Sequence, residues 1–149
     1  MTLMDAPVYD ALKARRRRNA LLTALACCLV LAGFVWYFWD WPEEHLVNRF
    51  FDALEQKNLP KAFAIWNHDP DWVQHAERYK PYTYGRFSTD WGHASDWGDI
   101  TSHKIVMAKT VGSGVVVGVD VNGQKTPMFL WVERSNHTLA FSPVELSTE

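Results

Sequence analysis

The sequence predicts an α+β domain attached to a single N-terminal transmembrane helix. Residues 20–39 contain no charged residue, and in the segment that follows them apolar residues recur at helical spacing. Beyond Pro81 the apolar residues instead alternate with polar ones, which is typical of β-strands. Helices that precede a run of antiparallel strands pack on one face of the sheet, and this arrangement defines the α+β class.

Residues 20–41 are predicted to form the transmembrane helix. Twenty helical residues rise about 30 Å, which matches the hydrocarbon core of a bilayer. Amphipathic rings concentrate at the headgroup level, and four of them cluster where this run ends: Trp36, Tyr37, Trp39 and Trp41. Four consecutive arginines precede the run: Arg15, Arg16, Arg17 and Arg18. We expect both groups to anchor the helix in the lipid bilayer.

Charge is distributed unevenly along the chain. Residues 1–19 carry five basic and two acidic residues, a net charge of +3, whereas residues 40–149 carry ten basic and fifteen acidic residues, a net charge of −5. The positive-inside rule therefore predicts a basic cytoplasmic tail at residues 1–19 and an extracytoplasmic domain at residues 43–149. We expect a bacterial inner-membrane protein whose domain lies in the periplasm. The acidic domain argues against nucleic-acid binding, which requires a basic face.

Two alternatives to a retained membrane helix arise from the same segment. A cleaved signal peptide has an apolar stretch of about 7–15 residues, whereas this stretch is longer and ends in bulky rings. A lipoprotein cysteine at Cys27 is the second alternative, but the apolar run continues well past it. Cys27 and Cys28 are the only cysteines, so the domain is expected to fold without a disulfide.

Three helices are predicted between the membrane segment and Pro81. Apolar residues recur at helical spacing over residues 43–56, which form the first. Residues 58–60, Asn-Leu-Pro, start the second, and residues 69–71, Asp-Pro-Asp, start the third. Both starts combine a favourable cap with a proline, which the first helical turn tolerates.

Four strands are predicted beyond Pro81, and they cover residues 100–111, 115–121, 125–134 and 137–141. Every second residue of the second strand is valine. Asn122-Gly123 follows this strand, and the dipeptide is a strong hairpin signal because it accepts positive φ at both turn positions. Consecutive strands that are joined by short turns form an antiparallel meander.

The triplet Asp-Trp-Gly occurs at residues 90–92 and again at residues 96–98. Together with His93 and Asp99, its carboxylates would suit zinc or manganese. A spacing of three aligns such ligands only on a tight 3₁₀-like helix, and the two glycines argue against a continuous one. We therefore expect a turn-rich connector whose two tryptophans point into the helix–sheet core. No metal site and no cofactor are predicted.

The sequence contains no nucleophile elbow, no phosphate loop and no dinucleotide fingerprint. Acid–base chemistry would need a titratable pair in an apolar pocket, for which Asp90, His93 and His103 are candidates beside the tyrosines. A structural role is nevertheless the default for His103, and no catalytic residue is predicted. The residues expected to bind a partner or ligand are aromatic: Tyr79, Tyr82, Tyr84, Trp91 and Trp97.

Two short segments and the order of elements resemble the nuclear-transport-factor-two-like superfamily, the cystatin-like α+β cone. Residues 45–66, HLVNRFFDALEQKNLPKAFAIW, resemble its opening helices, and residues 97–106, WGDITSHKIV, resemble the start of its sheet. The similarity covers about residues 43–142 and suggests a membrane-anchored bacterial member. It implies three helices packed on a curved antiparallel sheet of about four strands, with a conical pocket between helix and sheet.

Members of that superfamily use the cone as an enzyme site, as a ligand pocket, or as a filled core whose sheet binds proteins, and the fold does not choose among these uses. We expect a non-enzymatic interaction module, an accessory or assembly subunit of a membrane complex, that binds a membrane protein or a second copy. One alternative is a small-molecule-binding or isomerase-like pocket, which requires a hollow cone. The other is an inner-membrane component of a secretion machine, whose bitopic subunits share this architecture.

Overall fold

The structure, a computed structural model, describes residues 10–144 and residue 146. The chain separates into two compact units, Met1–Trp39 and Asp40–Glu149. Helix α1 belongs to the first unit. The second unit contains the remaining helices and a four-stranded antiparallel sheet, so the predicted α+β class is confirmed.

Helix α1 spans Ala11–Tyr37 and starts at Asp10, whose side chain accepts hydrogen bonds from the backbone N–H groups of Leu12 and Lys13. No residue of α1 is buried. By length and composition, the N-terminal helix is long and apolar enough to cross a membrane. It begins before the apolar run, so the four arginines lie on the helix rather than in a separate tail.

The second unit begins with helices α2 (Trp41–Glu55) and α3 (Leu59–Trp66), which confirm the first two predicted helices. Asn58 caps α3, since its side chain accepts a hydrogen bond from the backbone N–H of Lys61. Apolar residues of α2 recur at helical spacing and are buried: Val47, Phe50, Phe51 and Leu54. This face of α2 packs against the first two strands of the sheet.

The third predicted helix is present, but it is a 3₁₀ helix and not an α-helix. A 3₁₀ helix, η1 (Trp72–Tyr79), occupies this place, and His75 inside it has non-helical dihedral angles. The carboxylate of Asp69, which precedes η1, lies 2.9 Å from His75 Nδ1 and accepts a hydrogen bond from the Tyr79 hydroxyl at 2.5 Å. A further helix, α4 (Tyr84–Trp91), lies between η1 and the sheet in the chain and was not predicted.

Four strands form the sheet, β1 (His103–Val111), β2 (Gly114–Val121), β3 (Met128–Glu133) and β4 (Leu139–Phe141). Each strand pairs antiparallel with the next along the chain, which confirms the predicted meander. Asn122 and Gly123 both have positive φ, as the hairpin prediction required. The connection to β3 is longer than a two-residue hairpin, because β3 starts only at Met128.

Aromatic side chains fill the space between α2, α3, α4 and the sheet. Phe50 lies at the centre of this core, with its ring centroid 5.4 Å from that of Trp66 and 4.9 Å from that of Trp91. The inner face of β2 contributes four buried valines: Val115, Val117, Val119 and Val121. Aromatic and valine side chains therefore fill the interior between these helices and the sheet.

The outer face of the sheet is covered by its own aromatic rings. Phe129 lies opposite Gly118, and Trp131 lies opposite Val116. A Cβ atom on Gly114 would lie only 2.5 Å from the Trp131 ring, so glycine at this position lets the ring lie against the backbone. As a result, Val116 is fully buried although its side chain faces away from the core.

An ionic cluster connects the start of α2 to the sheet. Arg134, which follows β3, donates hydrogen bonds to Asp40 Oδ1 at 2.6 Å and to Glu43 Oε1 at 3.0 Å. The Thr110 hydroxyl of β1 donates to the same Asp40 oxygen at 2.9 Å. Glu43 is buried, and among the described residues its Oε2 has no hydrogen-bond partner. The first residue of the second unit is thus held by two strands.

Candidate functional site

The five aromatic residues predicted to bind a partner or ligand fall into two groups. Tyr79 and Tyr84 pack around Phe63, with ring centroids 5.6 Å and 5.5 Å from its own. Tyr82 and Trp91 instead contact Trp66, at 5.9 Å and 5.6 Å. Trp97 packs against the edge of the core from the segment after α4.

The first group has a packing role. The Tyr79 hydroxyl donates a hydrogen bond to Asp69, and burial together with this carboxylate raises the pKa of Tyr79 to about 12. In turn, the hydrogen bonds from Tyr79 and His75 lower the pKa of Asp69. Tyr84 stacks on Trp72 with ring centroids 4.8 Å apart. These contacts hold η1 against α3 and α4.

The two Asp-Trp-Gly triplets differ in their surroundings. Trp91 ends α4 one turn after Phe87, is 3% exposed, and stacks parallel to Phe141 at 5.6 Å. The prediction that it points into the core is confirmed. Trp97 is only partly buried, and Asn122 fixes its position by donating from Nδ2 to the carbonyl oxygens of Trp97 at 3.3 Å and Asp99 at 3.0 Å.

A surface cleft of about 320 Å³ lies beside the second triplet. We call it the Trp97 cleft. Its aromatic walls are Trp97 and Phe141, and its acidic walls are Asp90 and Asp96. Phe141 remains 50% exposed although it belongs to the sheet, and Asp96 is also exposed. The cleft is therefore lined by two aromatic rings and two acidic residues, of which Phe141 and Asp96 are exposed.

Tyr82 holds one of the acidic walls in place. Its hydroxyl donates a hydrogen bond to Asp90 Oδ2 at 2.9 Å. Burial and the contact with Asp90 raise the pKa of Tyr82 well above its usual value. The indole N–H of Trp91 opposes this rise in the pKa, although it forms no geometrically good hydrogen bond among the described residues. Tyr82 is therefore a neutral donor at physiological pH.

The four side chains considered as metal ligands at the triplets do not converge. Asp90 and Asp96 line the Trp97 cleft, whereas His93 and Asp99 line a second crevice of about 410 Å³. In that crevice, His93 Nδ1 lies 3.0 Å from Asp99 Oδ1, and Lys57 Nζ donates to Asp99 Oδ2 at 3.2 Å. The hydrogen bond from His93, followed by that from Lys57, lowers the pKa of Asp99.

A different cluster, which the sequence interpretation missed, lies between α2 and β1. Asp52, Glu55 and His103 place their ligand atoms within 4.8 Å of one another. The sequence interpretation considered His103 for acid–base chemistry and gave it a structural role by default, but did not predict it as a metal ligand. Asp52 and Glu55 are three residues apart on α2, but His103 follows Glu55 by 48 residues. Only the fold brings the histidine to the helix.

The residues predicted to anchor the chain in a membrane lie at opposite ends of α1, with one exception. Arg15 to Arg18 lie on the N-terminal turns and are exposed, while Trp36 and Tyr37 are exposed at the C-terminal end. Trp39 follows the helix. Trp41 is instead the first residue of α2, where it stacks on His45 with ring centroids 5.3 Å apart.

Comparisons of the chain with protein families, with curated proteins and with solved structures found no match. A function must therefore be inferred from the residues and geometry of this chain.

Proposed function

We propose that the protein is a non-enzymatic, single-pass membrane protein whose second unit binds a membrane-protein partner through the Trp97 cleft. The protein would act as an accessory or assembly subunit of a membrane complex. The observation that carries this proposal is the cleft itself, which places Trp97 and Phe141 beside Asp90 and Asp96 at the surface. The partner contributes an exposed arginine or lysine side chain.

The chemistry of the cleft fits a cationic side chain. A guanidinium or ammonium group over an aromatic face gains about 0.5–2 kcal/mol, depending on how far it is desolvated. Carboxylates add charge-assisted hydrogen bonds, which are bidentate and directional for arginine. Tyr82 supports this role, because its hydrogen bond keeps Asp90 at the wall of the cleft. Tryptophan is also enriched among the residues that dominate binding energy at protein interfaces.

Helix α1 supports the membrane part of the proposal. Its apolar residues are left accessible to lipid, since no residue of α1 is buried in the part of the chain that the structure describes. The arginines at its start favour an orientation with the N-terminus in the cytoplasm and the second unit in the periplasm of a bacterium. A small cleft is sufficient when both partners are held in one bilayer, because confinement raises their effective concentration.

The resemblance to the nuclear-transport-factor-two-like superfamily remains part of the proposal. Its support is the order of elements, with α2 packed against β1 and β2 of a four-stranded meander. The filled core disfavours the alternative of an isomerase-like pocket, since that alternative needs free volume where Phe50, Trp66 and Trp91 lie in contact. The secretion-machine alternative differs only in which partner is bound.

The test is co-purification of the full-length protein from its own membranes in mild detergent. Asp96→Lys places a positive charge in the cleft and is expected to abolish binding of a stoichiometric partner. Glu77→Lys makes the same charge change on η1, where Glu77 is exposed and pairs with Lys80, and should retain the partner. A partner retained by Asp96→Lys would contradict the docking site. A wild-type protein that purifies without any partner would contradict the proposed function.

Orientation can be tested separately with a reporter that is active only in the periplasm. Fused after Glu149, the reporter should be active in the wild type. Replacement of Arg15 to Arg18 by glutamate should reduce this activity, because the charge bias that sets the orientation is removed. An active reporter at the N-terminus instead would reverse the proposed topology.

A further inference from the structure

Three oxygen-bearing side chains on one face of α2 surround the first residue of β1. Asn48, Asp52 and Glu55 follow one another at spacings of four and three residues, which places them on the same side of the helix. The His103 ring stacks on Phe51 with centroids 5.2 Å apart, and its side chain is 11% exposed. The imidazole is therefore held in one orientation against this row of oxygen atoms.

Both nitrogen atoms of His103 face oxygen atoms. Nε2 lies 3.1 Å from Asn48 Oδ1, and Nδ1 lies 2.6 Å from Glu55 Oε1. A neutral imidazole carries one N–H. When Nε2 donates that proton to Asn48, the lone pair of Nδ1 points at the carboxylate. Two lone-pair-bearing atoms at this distance repel each other unless they share a cation, which is either a proton or a metal ion.

Asp52, the third side chain of the group, favours a metal ion over a proton. A proton would satisfy His103 and Glu55 alone, whereas Asp52 places its carboxylate in the same group, with all three ligand atoms within 4.8 Å of one another. Ligands about 2.0–2.2 Å from a tetrahedral ion lie about 3.3 Å apart. Binding of an ion would therefore separate His103 Nδ1 and Glu55 Oε1 from their present 2.6 Å, and the exposed carboxylate of Asp52 would rotate towards them.

We infer that Asp52, Glu55 and His103 bind a divalent transition-metal ion, and that zinc suits the site best. Zinc accepts imidazole nitrogen and carboxylate oxygen as ligands, and three protein ligands leave one coordination position for water. Asn48 acts through the histidine, because a hydrogen bond at Nε2 keeps Nδ1 free to coordinate. The bound ion would join α2 to the start of β1. The site shares no residue with the Trp97 cleft.

The test uses the untagged full-length protein in detergent, stripped of metal and titrated with zinc chloride by isothermal titration calorimetry. We expect one zinc ion per chain. Asp52→Asn should weaken binding at least tenfold, and His103→Gln should abolish it. Zinc should also raise the thermal midpoint of the wild type, because it binds only the folded chain, and this rise should be lost in Asp52→Asn.

His93→Gln is the matched control, since it removes an exposed imidazole that also lies beside a carboxylate, that of Asp99. It should leave zinc binding unchanged. The inference is overturned if the wild type binds no zinc, if Asp52→Asn binds as tightly as the wild type, or if His93→Gln weakens binding equally. The test does not depend on His103→Gln folding. Asp52 is exposed, so Asp52→Asn should fold, and its zinc affinity alone tests the site. A wild type that binds no zinc would indicate that the Asn48 amide donates N–H to Nε2 and that His103 donates to Glu55.

Discussion

The two Asp-Trp-Gly triplets have the same sequence and different environments. In the first, Trp91 is buried against Phe50 and Phe141, and Gly92 has an extended backbone. In the second, Trp97 forms the wall of a surface cleft, and Gly98 has a φ of +65°. The first triplet ends a helix, whereas the second lies in the turns that lead to β1. Burial of each tryptophan is thus set by the element that carries it and not by its immediate neighbours.

The largest expected difference between the triplets concerns their tryptophans. Trp91→Ala should lower the free energy of unfolding by about 3–5 kcal/mol, because it leaves a cavity in the aromatic core. Trp97→Ala should cost about 1 kcal/mol, since its ring is partly exposed. Urea unfolding of the full-length protein in detergent, followed by near-ultraviolet circular dichroism, measures both. Equal losses would contradict the assignment of one ring to the core and the other to a cleft.

Substitution of the two glycines should also destabilise the first triplet more than the second. A Cβ on Gly92 would overlap the backbone carbonyl oxygen of Ser88, so Gly92→Ala should cost about 2–3 kcal/mol. Gly98 has open space around it, and Gly98→Ala should cost only about 1 kcal/mol, because alanine is strained at positive φ. Thermal unfolding of the two variants compares them directly. A larger loss for Gly98→Ala would mean that backbone strain outweighs the overlap at Gly92.

Removal of the Tyr82 hydroxyl tests whether its hydrogen bond to Asp90, the first residue of the first triplet, stabilises the protein. Tyr82→Phe should cost about 1 kcal/mol, because Asp90 loses its hydrogen-bond donor. Tyr84→Phe is the control, since its hydroxyl forms no hydrogen bond among the described residues, and it should change stability by less than about 0.5 kcal/mol. Urea midpoints give both values. A neutral Tyr82→Phe would show that Asp90 does not need this contact.

The smallest expected effect concerns acid stability next to the second triplet. The pKa of Asp99 is lowered in the folded protein by its contacts with His93 and Lys57. Its contribution to stability is therefore present above the ordinary carboxyl pKa of about 3.9 and is lost as the pH falls through the lowered folded value. Urea midpoints of the wild type and Asp99→Asn should differ above about pH 4 and converge as the pH falls further, through the lowered folded pKa of Asp99. A difference that stays constant as the pH falls would contradict the ionic role of Asp99.

Features that depend on short-range periodicity could be predicted from the sequence. The alternating valines of β2 are all buried, as expected for one face of a strand. The buried stripe of α2 follows its helical spacing. Positive φ at Asn122 and Gly123 follows from the conformational preferences of those two residues. In each case the signal lies within a few residues of the feature that it determines.

Features that depend on contacts across the chain could not be predicted. The Trp97 cleft exists only because β4 brings Phe141 to a connector that lies far away in sequence. The pairing of His103 with Glu55 spans 48 residues. Such pairings are set by the packing of whole elements, which no local pattern encodes.

The cluster around Arg134 determines how the second unit would respond to mechanical tension. The chain enters this unit at Asp40, so a pull on the preceding segment acts first on that residue. Asp40 is bound to Arg134 after β3 and to Thr110 in β1, two strands that flank β2. Tension is thereby divided between both neighbours of the central valine-rich strand. We therefore expect the contacts of Asp40 with Arg134 and Thr110 to break before α2 is pulled away from its N-terminal end.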